Sequence, residues 1–197
     1  VSVPRFNRMP GEKRRAKLIE AGLACMARGG ITEFTVDRIC AEAGVSRGLI
    51  THYFGTMSAL LRAVYVKMYE GVDMPSGAIR ADATHLSLFL DAQFSPEAFN
   101  KDSVNVWLAL WGQIATDADL RAEHQAQYAT YLARIAAAIT DAARRNGRTV
   151  DAMMLAKTLV PLLDGLYVQH GIDPDSMPAG TAQAACRALL EPHLGPF

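Results

Sequence analysis

The chain has 197 residues, 50% of them hydrophobic, and 20 Lys/Arg balance 20 Asp/Glu. That length and apolar content support one sizeable core or two small coupled ones, and 15 glycines with 9 prolines are too few for a disordered composition. No apolar run approaches a membrane span. Neutrality conceals an asymmetry: residues 1–70 hold 11 Lys/Arg against 6 Asp/Glu (+5), and the remainder holds 9 against 14 (−5). A basic front end on an acidic remainder points to a polyanionic partner for the front end alone. Cys25, Cys40 and Cys186 are odd in number and widely separated, which argues against a disulfide framework or thiolate metal site. With no secretory apolar stretch at its start, the expectation is a soluble cytoplasmic protein.

Residues 1–11 are basic and contain Pro4, Pro10 and Gly11; they read either as a frayed terminus or as an arm carrying Arg5 and Arg8 to phosphates. From Glu12 the spacing of Ile19, Leu23 and Met26 predicts a helix ending at Gly29-Gly30. Lys13, Arg14, Arg15 and Lys17 crowd its first turns, the unfavourable end of the helix dipole. Either an external anion compensates them or they form a solvated basic face. Thr35 is the expected N-cap of a short helix with Val36, Ile39 and Ala43 on one face and Gly44 as its stop. Ser46 is the expected cap of a second short helix, with Val45 and Ile50 as a hydrophobic staple. Two short helices joined by Ala43-Gly44-Val45-Ser46 after a longer supporting helix make a helix-turn-helix pattern.

Thr56 is placed to cap a fourth helix running to about Tyr69 through Leu60, Leu61, Val64 and Met68, and the stretch from Gly71 to Gly77 reads as a break. Four helical stripes follow: Ile79, Ala83, Leu86 and Leu90; Val104, Trp107, Leu108, Trp111 and Ile114; Tyr128, Tyr131, Leu132, Ile135 and Ile139; and Leu155, Leu159, Leu162 and Leu166. Asn146-Gly147 ends the third of these, Pro161 is expected to bend the fourth, and a last helix is expected over 180–191. The fold class is all-α, with a helical bundle as the second half.

Thr35-(x)3-Ile39-Cys40-(x)2-Ala43-Gly44-Val45-Ser46-(x)-Gly48-(x)4-Tyr53-Phe54-(x)5-Leu60 resembles the DNA-binding domain of the tetracycline-repressor (TetR) family. The resemblance implies a three-helix DNA-binding domain with its arm over 1–56, and a coupling helix with a ligand-binding and dimerisation domain over 57–197. It also implies a homodimer on a double-stranded operator, with repression relieved by a small molecule. The second short helix would enter the major groove. Arg47 reads either a guanine edge or only a phosphate; Thr51 and His52 reach base or backbone. Gly48 would permit close approach to DNA or to the neighbouring helix, with Thr35, Ser46 and Tyr53 beside the backbone. The family usually carries lysine where this chain has Met57, so one phosphate contact is unaccounted for; Ser58, Lys13, Arg14 or an arm residue is the expected substitute.

Val106-Trp107-Leu108-Ala109-Leu110-Trp111-Gly112-Gln113, Leu163-Asp164-Gly165-Leu166-Tyr167 and Ile50-Thr51-His52-Tyr53-Phe54 resemble the choline-responsive, betaine-pathway subgroup. Trp107 and Trp111 lie one turn apart. They either pack in the bundle or line a pocket with Tyr128, Tyr131 and Tyr167, whose faces would attract a quaternary ammonium ion. Asp164 adds a carboxylate to such a pocket, or is paired with an arginine or a backbone cap. His52, His85, His124, His170 and His193 lack metal spacing or a nucleophile motif and read as surface or core histidines, so no catalytic residue, metal or cofactor is expected. The dimer surface is expected on the helices near 150–170 and 179–192. The alternatives are an activator or a ligand-independent DNA-binding protein of the same fold, and a small-molecule-binding or catalytic bundle that has lost DNA binding, the last supported only by Met57.

Overall fold

The computed structural model describes residues 11–70 and 84–197. Its helices are α1 (Gly11–Gly29), α2 (Val36–Ala43), α3 (Gly48–Phe54), α4 (Met57–Glu70), α5 (His85–Gln93), α6 (Lys101–Ile114), α7 (Ala118–Arg145), α8 (Ala152–Ile172) and α9 (Ala179–Leu194), with a 3-10 turn over Gly30–Glu33. Every regular element among the described residues is helical, as the stripes require. Ile79, Ala83 and the expected break over 71–77 lie outside the described residues.

Local chemistry sets most boundaries. Thr35 accepts from the Arg38 amide to start α2, and Gly44, at φ 62°, ends it. Thr56 accepts from the Ala59 amide at 3.1 Å and opens α4. Asn100, Asp117 and Asp151 cap α6, α7 and α8 in the same manner. Asn146 follows the end of α7, and Gly147 takes φ 64°. One cap differs from expectation. The cap position of α3 falls on Arg47, which makes no side-chain cap bond, because the helix opens with a tight turn in which the Ser46 carbonyl accepts from the Leu49 amide.

Two cores result. The amino-terminal one gathers Leu18, Met26, Ile39, Ile50, Leu60 and Tyr65, and it is closed by Val106, Leu110 and Leu120 from α6 and α7. The carboxy-terminal one lies among α5, α7, α8 and α9 around Phe89, Ile135, Ile139, Leu159 and Leu190. Packing therefore runs without a gap across residue 56, and α4 belongs to the amino-terminal core. Trp107 packs against both cores. Within α6, Leu108 departs from the expected stripe and stands 44% exposed. At 3.6 residues per turn, Leu108 is rotated about 100° from Trp107 and points outward.

α8 lies close against α6 at Gly171, where an added Cβ would clash with Val104 Cγ1. Val104 is β-branched and fully packed, so it cannot swing away cheaply. Gly171→Ala should lower the thermal midpoint despite its better helix propensity, by about 1–3 kcal/mol of overpacking. Adding Val104→Ala should recover much of that loss, a coupling that a double-mutant denaturation cycle measures.

Candidate functional site

The six residues read as ligand candidates converge on one cavity. Trp107 and Trp111 come from α6, Tyr128 and Tyr131 from α7, and Asp164 and Tyr167 from α8. Tyr69 of α4, Gln93 of α5 and His124 of α7 complete its polar and aromatic wall. The space is small, about 50 Å³, suited to a compact group rather than a drug-sized molecule. Trp107 and Trp111 stack with centroids 6.0 Å apart, and Tyr69 meets Trp107 and Tyr131 edge-on at 5.7 and 6.0 Å. These offset and edge geometries are the favoured aromatic arrangements, so the wall is self-supporting. Tyr167 is oriented by donating its hydroxyl to the Gln93 carbonyl at 2.7 Å.

Asp164 sits in the middle of α8, away from both helix ends. Among the described residues, no arginine, lysine or histidine forms an ion pair with it. Burial raises its carboxyl to about 6, because low-dielectric surroundings penalise the ionised form. Burial is also the main cause that raises Tyr69, Tyr128, Tyr131 and Tyr167, and the Asp164 carboxylate adds to each. The cavity thus has aromatic walls and one negative group without a protein counter-charge among the described residues.

Sequence reasoning missed five wall residues, the apolar Val160 and Leu163 and the polar or aromatic Tyr69, Gln93 and His124. His124 stacks on Tyr128 at 5.2 Å, one turn away on α7, a spacing readable beforehand. Its Nδ1 shares a 2.8 Å hydrogen bond with the hydroxyl of Tyr65, which is fully buried in α4. Tyr69 and Gln93 come from helix ends distant in sequence, with no local signal.

The DNA-reading candidates form a second, separate surface. Thr35, Ser46, Arg47, Gly48, Thr51 and His52 are exposed at the start of α2 and along α3, and Tyr53 is half-buried. The His52 and Tyr53 rings meet edge-on at 4.8 Å. Arg47 Nε bonds Asp37 Oδ1 at 2.7 Å, joining the start of α3 to the first turn of α2. Lys13, Arg15 and Lys17 are exposed on α1.

Residues 82–195 match the family model for the carboxy-terminal domain of BetI-type transcriptional repressors. The chain belongs to that family. A second model, for TetR-family bacterial regulatory proteins, matches residues 18–64, so this BetI-type chain is a DNA-binding transcriptional repressor of TetR architecture. Among curated relatives, HTH-type transcriptional regulator BetI 2 of Chromohalobacter salexigens is 27% identical over 184 residues, covering 90% of this chain and 87% of the relative. BetI of Agrobacterium fabrum is 29% identical, covering 91% and 85%. A solved structure described as a transcriptional regulator from Pseudomonas aeruginosa PAO1 is 33% identical, with TM-score 0.76 over 95% of this chain and 93% of that one. A regulator from Saccharomonospora viridis, solved in complex with choline, is 21% identical with TM-score 0.78, covering 91% and 96%; this match bears on fold. No helix among the described residues is long and apolar enough to cross a membrane.

In this BetI-type chain, Met57 is half-buried and packs on the amino-terminal core. Ser58, one expected substitute for the missing lysine, instead donates to Asp117 Oδ2 at 3.0 Å. That bond and the Leu120 amide hold the Asp117 carboxyl below its usual range, the amide being the larger cause.

The raised Asp164 carboxyl carries a stability consequence. Its folded value of about 6 exceeds its ordinary 3.8, so between the two the folded state binds more protons. Stability contributed by this group therefore falls as pH rises through that window, and the penalty is complete above about 6. Asp164→Asn should be more stable than wild type near pH 8, by on the order of 2 kcal/mol, with the gain vanishing below about pH 4. Urea denaturation at both pH values checks this.

Proposed function

We propose that the chain is a homodimeric repressor that grips a pseudopalindromic operator and lets go when a compact quaternary ammonium ligand of the choline type occupies the aromatic cavity. The observation that carries this reading is the convergence of six aromatic rings and a carboxylate without a described counter-charge around a single small space. A quaternary ammonium cannot donate a conventional N–H hydrogen bond, so aromatic faces and a negative charge are the groups that recognise it. The choline bound to the Saccharomonospora viridis regulator supports the choice of ligand class.

On the DNA side, Arg47, Thr51 and His52 are assigned to base edges, and Thr35, Ser46, Gly48 and Tyr53 to backbone positions. The division at 56/57 is functional rather than a break in packing: residues 1–56 read DNA, and 57–197 couple, bind ligand and dimerise. For the dimer, Met154 and Ile172 of α8 stand 60% and 71% exposed. Gly165 on α8 and Ala184 and Ala188 on α9 are small and exposed. Such a surface favours close helix pairing across a two-fold axis, which would set two recognition helices roughly 34 Å apart.

Arg47→Ala should weaken operator binding by about 1–3 kcal/mol while non-specific duplex binding falls less, measured by fluorescence anisotropy at fixed salt. Choline should release wild-type protein from its operator, and Asp164→Asn should remain DNA-bound at the same choline concentration. Ligand affinity should decline as pH drops through about 6, since protonation removes the attracting charge. Operator binding that is indifferent to quaternary ammonium compounds would contradict this reading of the cavity.

A further inference from the structure

Besides the carboxylate, the cavity wall carries an imidazole. His124 lies on α7 beside Tyr128, and Asp164 lies on α8. Asp164 influences Tyr69, Tyr128, Tyr131 and Tyr167 electrostatically. His124 is lowered by burial alone, without a contribution from that carboxylate. An imidazole held neutral in this way is a hydrogen-bonding group and not a second cation.

One of its nitrogens is already committed. Tyr65 anchors Nδ1 at 2.8 Å, and Tyr65 is itself immobilised in the amino-terminal core. Among the described residues nothing partners Nε2, and no buried side-chain nitrogen or oxygen among them is left unsatisfied. The Nε2 atom is therefore accessible, on a ring that forms part of the cavity wall. Of the tyrosines that share the wall, Tyr167 has its hydroxyl donated to the Gln93 carbonyl at 2.7 Å.

We infer that His124 is a specificity-determining residue which hydrogen-bonds an uncharged hydroxyl on the ligand through Nε2, with Tyr65 as the positioning residue that fixes the ring. The ligand class is accordingly a quaternary ammonium alcohol rather than any compact cation. This rests on the proposed cation cavity and sharpens it. The hydroxyl end of the ligand would be tied through the imidazole to α4, the helix that follows the DNA-reading unit.

The test compares choline with propyltrimethylammonium, which has the same shape with a methyl in place of the hydroxyl. Calorimetry on the full-length wild-type protein should show choline binding roughly 10-fold tighter, the size expected for one lost hydrogen bond at a partly buried group. His124→Phe should bind both compounds about equally, near the wild-type affinity for propyltrimethylammonium. Tyr65→Phe, which keeps the buried ring, should also shrink the preference, whereas His124→Gln should retain part of it. A preference that persists undiminished in His124→Phe overturns the assignment, as does equal wild-type binding of the two compounds. In both of those cases binding by both compounds leaves the cation cavity standing. Failure of both compounds to bind wild type overturns the cavity reading and this inference together.

Discussion

Helix α4 is fixed at both ends to helices of the bundle, and the rest of the arrangement depends on that. Near its start, Ser58 bonds Asp117 at 3.0 Å and Arg62 bonds Asp119 at 3.0 Å. Farther along, Tyr65 bonds His124 at 2.8 Å and Tyr69 enters the cavity wall. The 14-residue helix is roughly 21 Å long, and Leu60, Leu61, Val64 and Tyr65 bury it against the helix-turn-helix core. A change in the wall at Tyr69 or His124 is thus mechanically connected to the unit carrying α3. The outer ion pair is exposed and weak; the apolar burial of α4 supplies the stiffness.

The cavity is costly to the unliganded protein. Asp164 is held at about 6 by burial alone, so at neutral pH the fold keeps an ionised group that it would be more stable without. In the proposed mechanism a cationic ligand removes that penalty, and the relief is available only to the conformation whose walls close round it. A ligand shifts a two-state equilibrium only by its differential affinity. In the proposed mechanism, the desolvated carboxylate and aromatic faces supply that difference.

Much of this was readable in the sequence where the signal is local. Thr35, Gly44, Thr56 and Asn146-Gly147 mark helix ends because capping depends on neighbours a few residues away. The cap at Ser46 failed because a tight opening turn moved the cap position to Arg47. Leu108 was assigned inward because apolar character alone cannot choose among adjacent positions on a wide stripe, and α6 turns it outward. The aromatic candidates converge, since helical spacing already put pairs of them on shared faces. Tyr69, Gln93 and the Tyr65–His124 bond were illegible, because the bond links positions 59 apart and all three rest on how separate helices dock. Histidine's ordinary role as a core or surface residue hid His124 further. Met57 and Ser58 likewise make sense only once their partners in the core and at Asp117 are known.

In the proposed mechanism, cavity occupancy repositions the two DNA-reading units of a dimer through α4. Cys25, Cys40 and Cys186 are all buried, which favours selective spin labelling at an engineered Ala41→Cys on the exposed side of α2. Pulsed electron–electron distance measurement would then compare operator-bound protein with choline-saturated protein. A single narrow separation is expected on the operator, and a separation shifted by several ångströms, on the scale of interface rearrangements, when choline is bound. Superimposable distance distributions in the two states would contradict it.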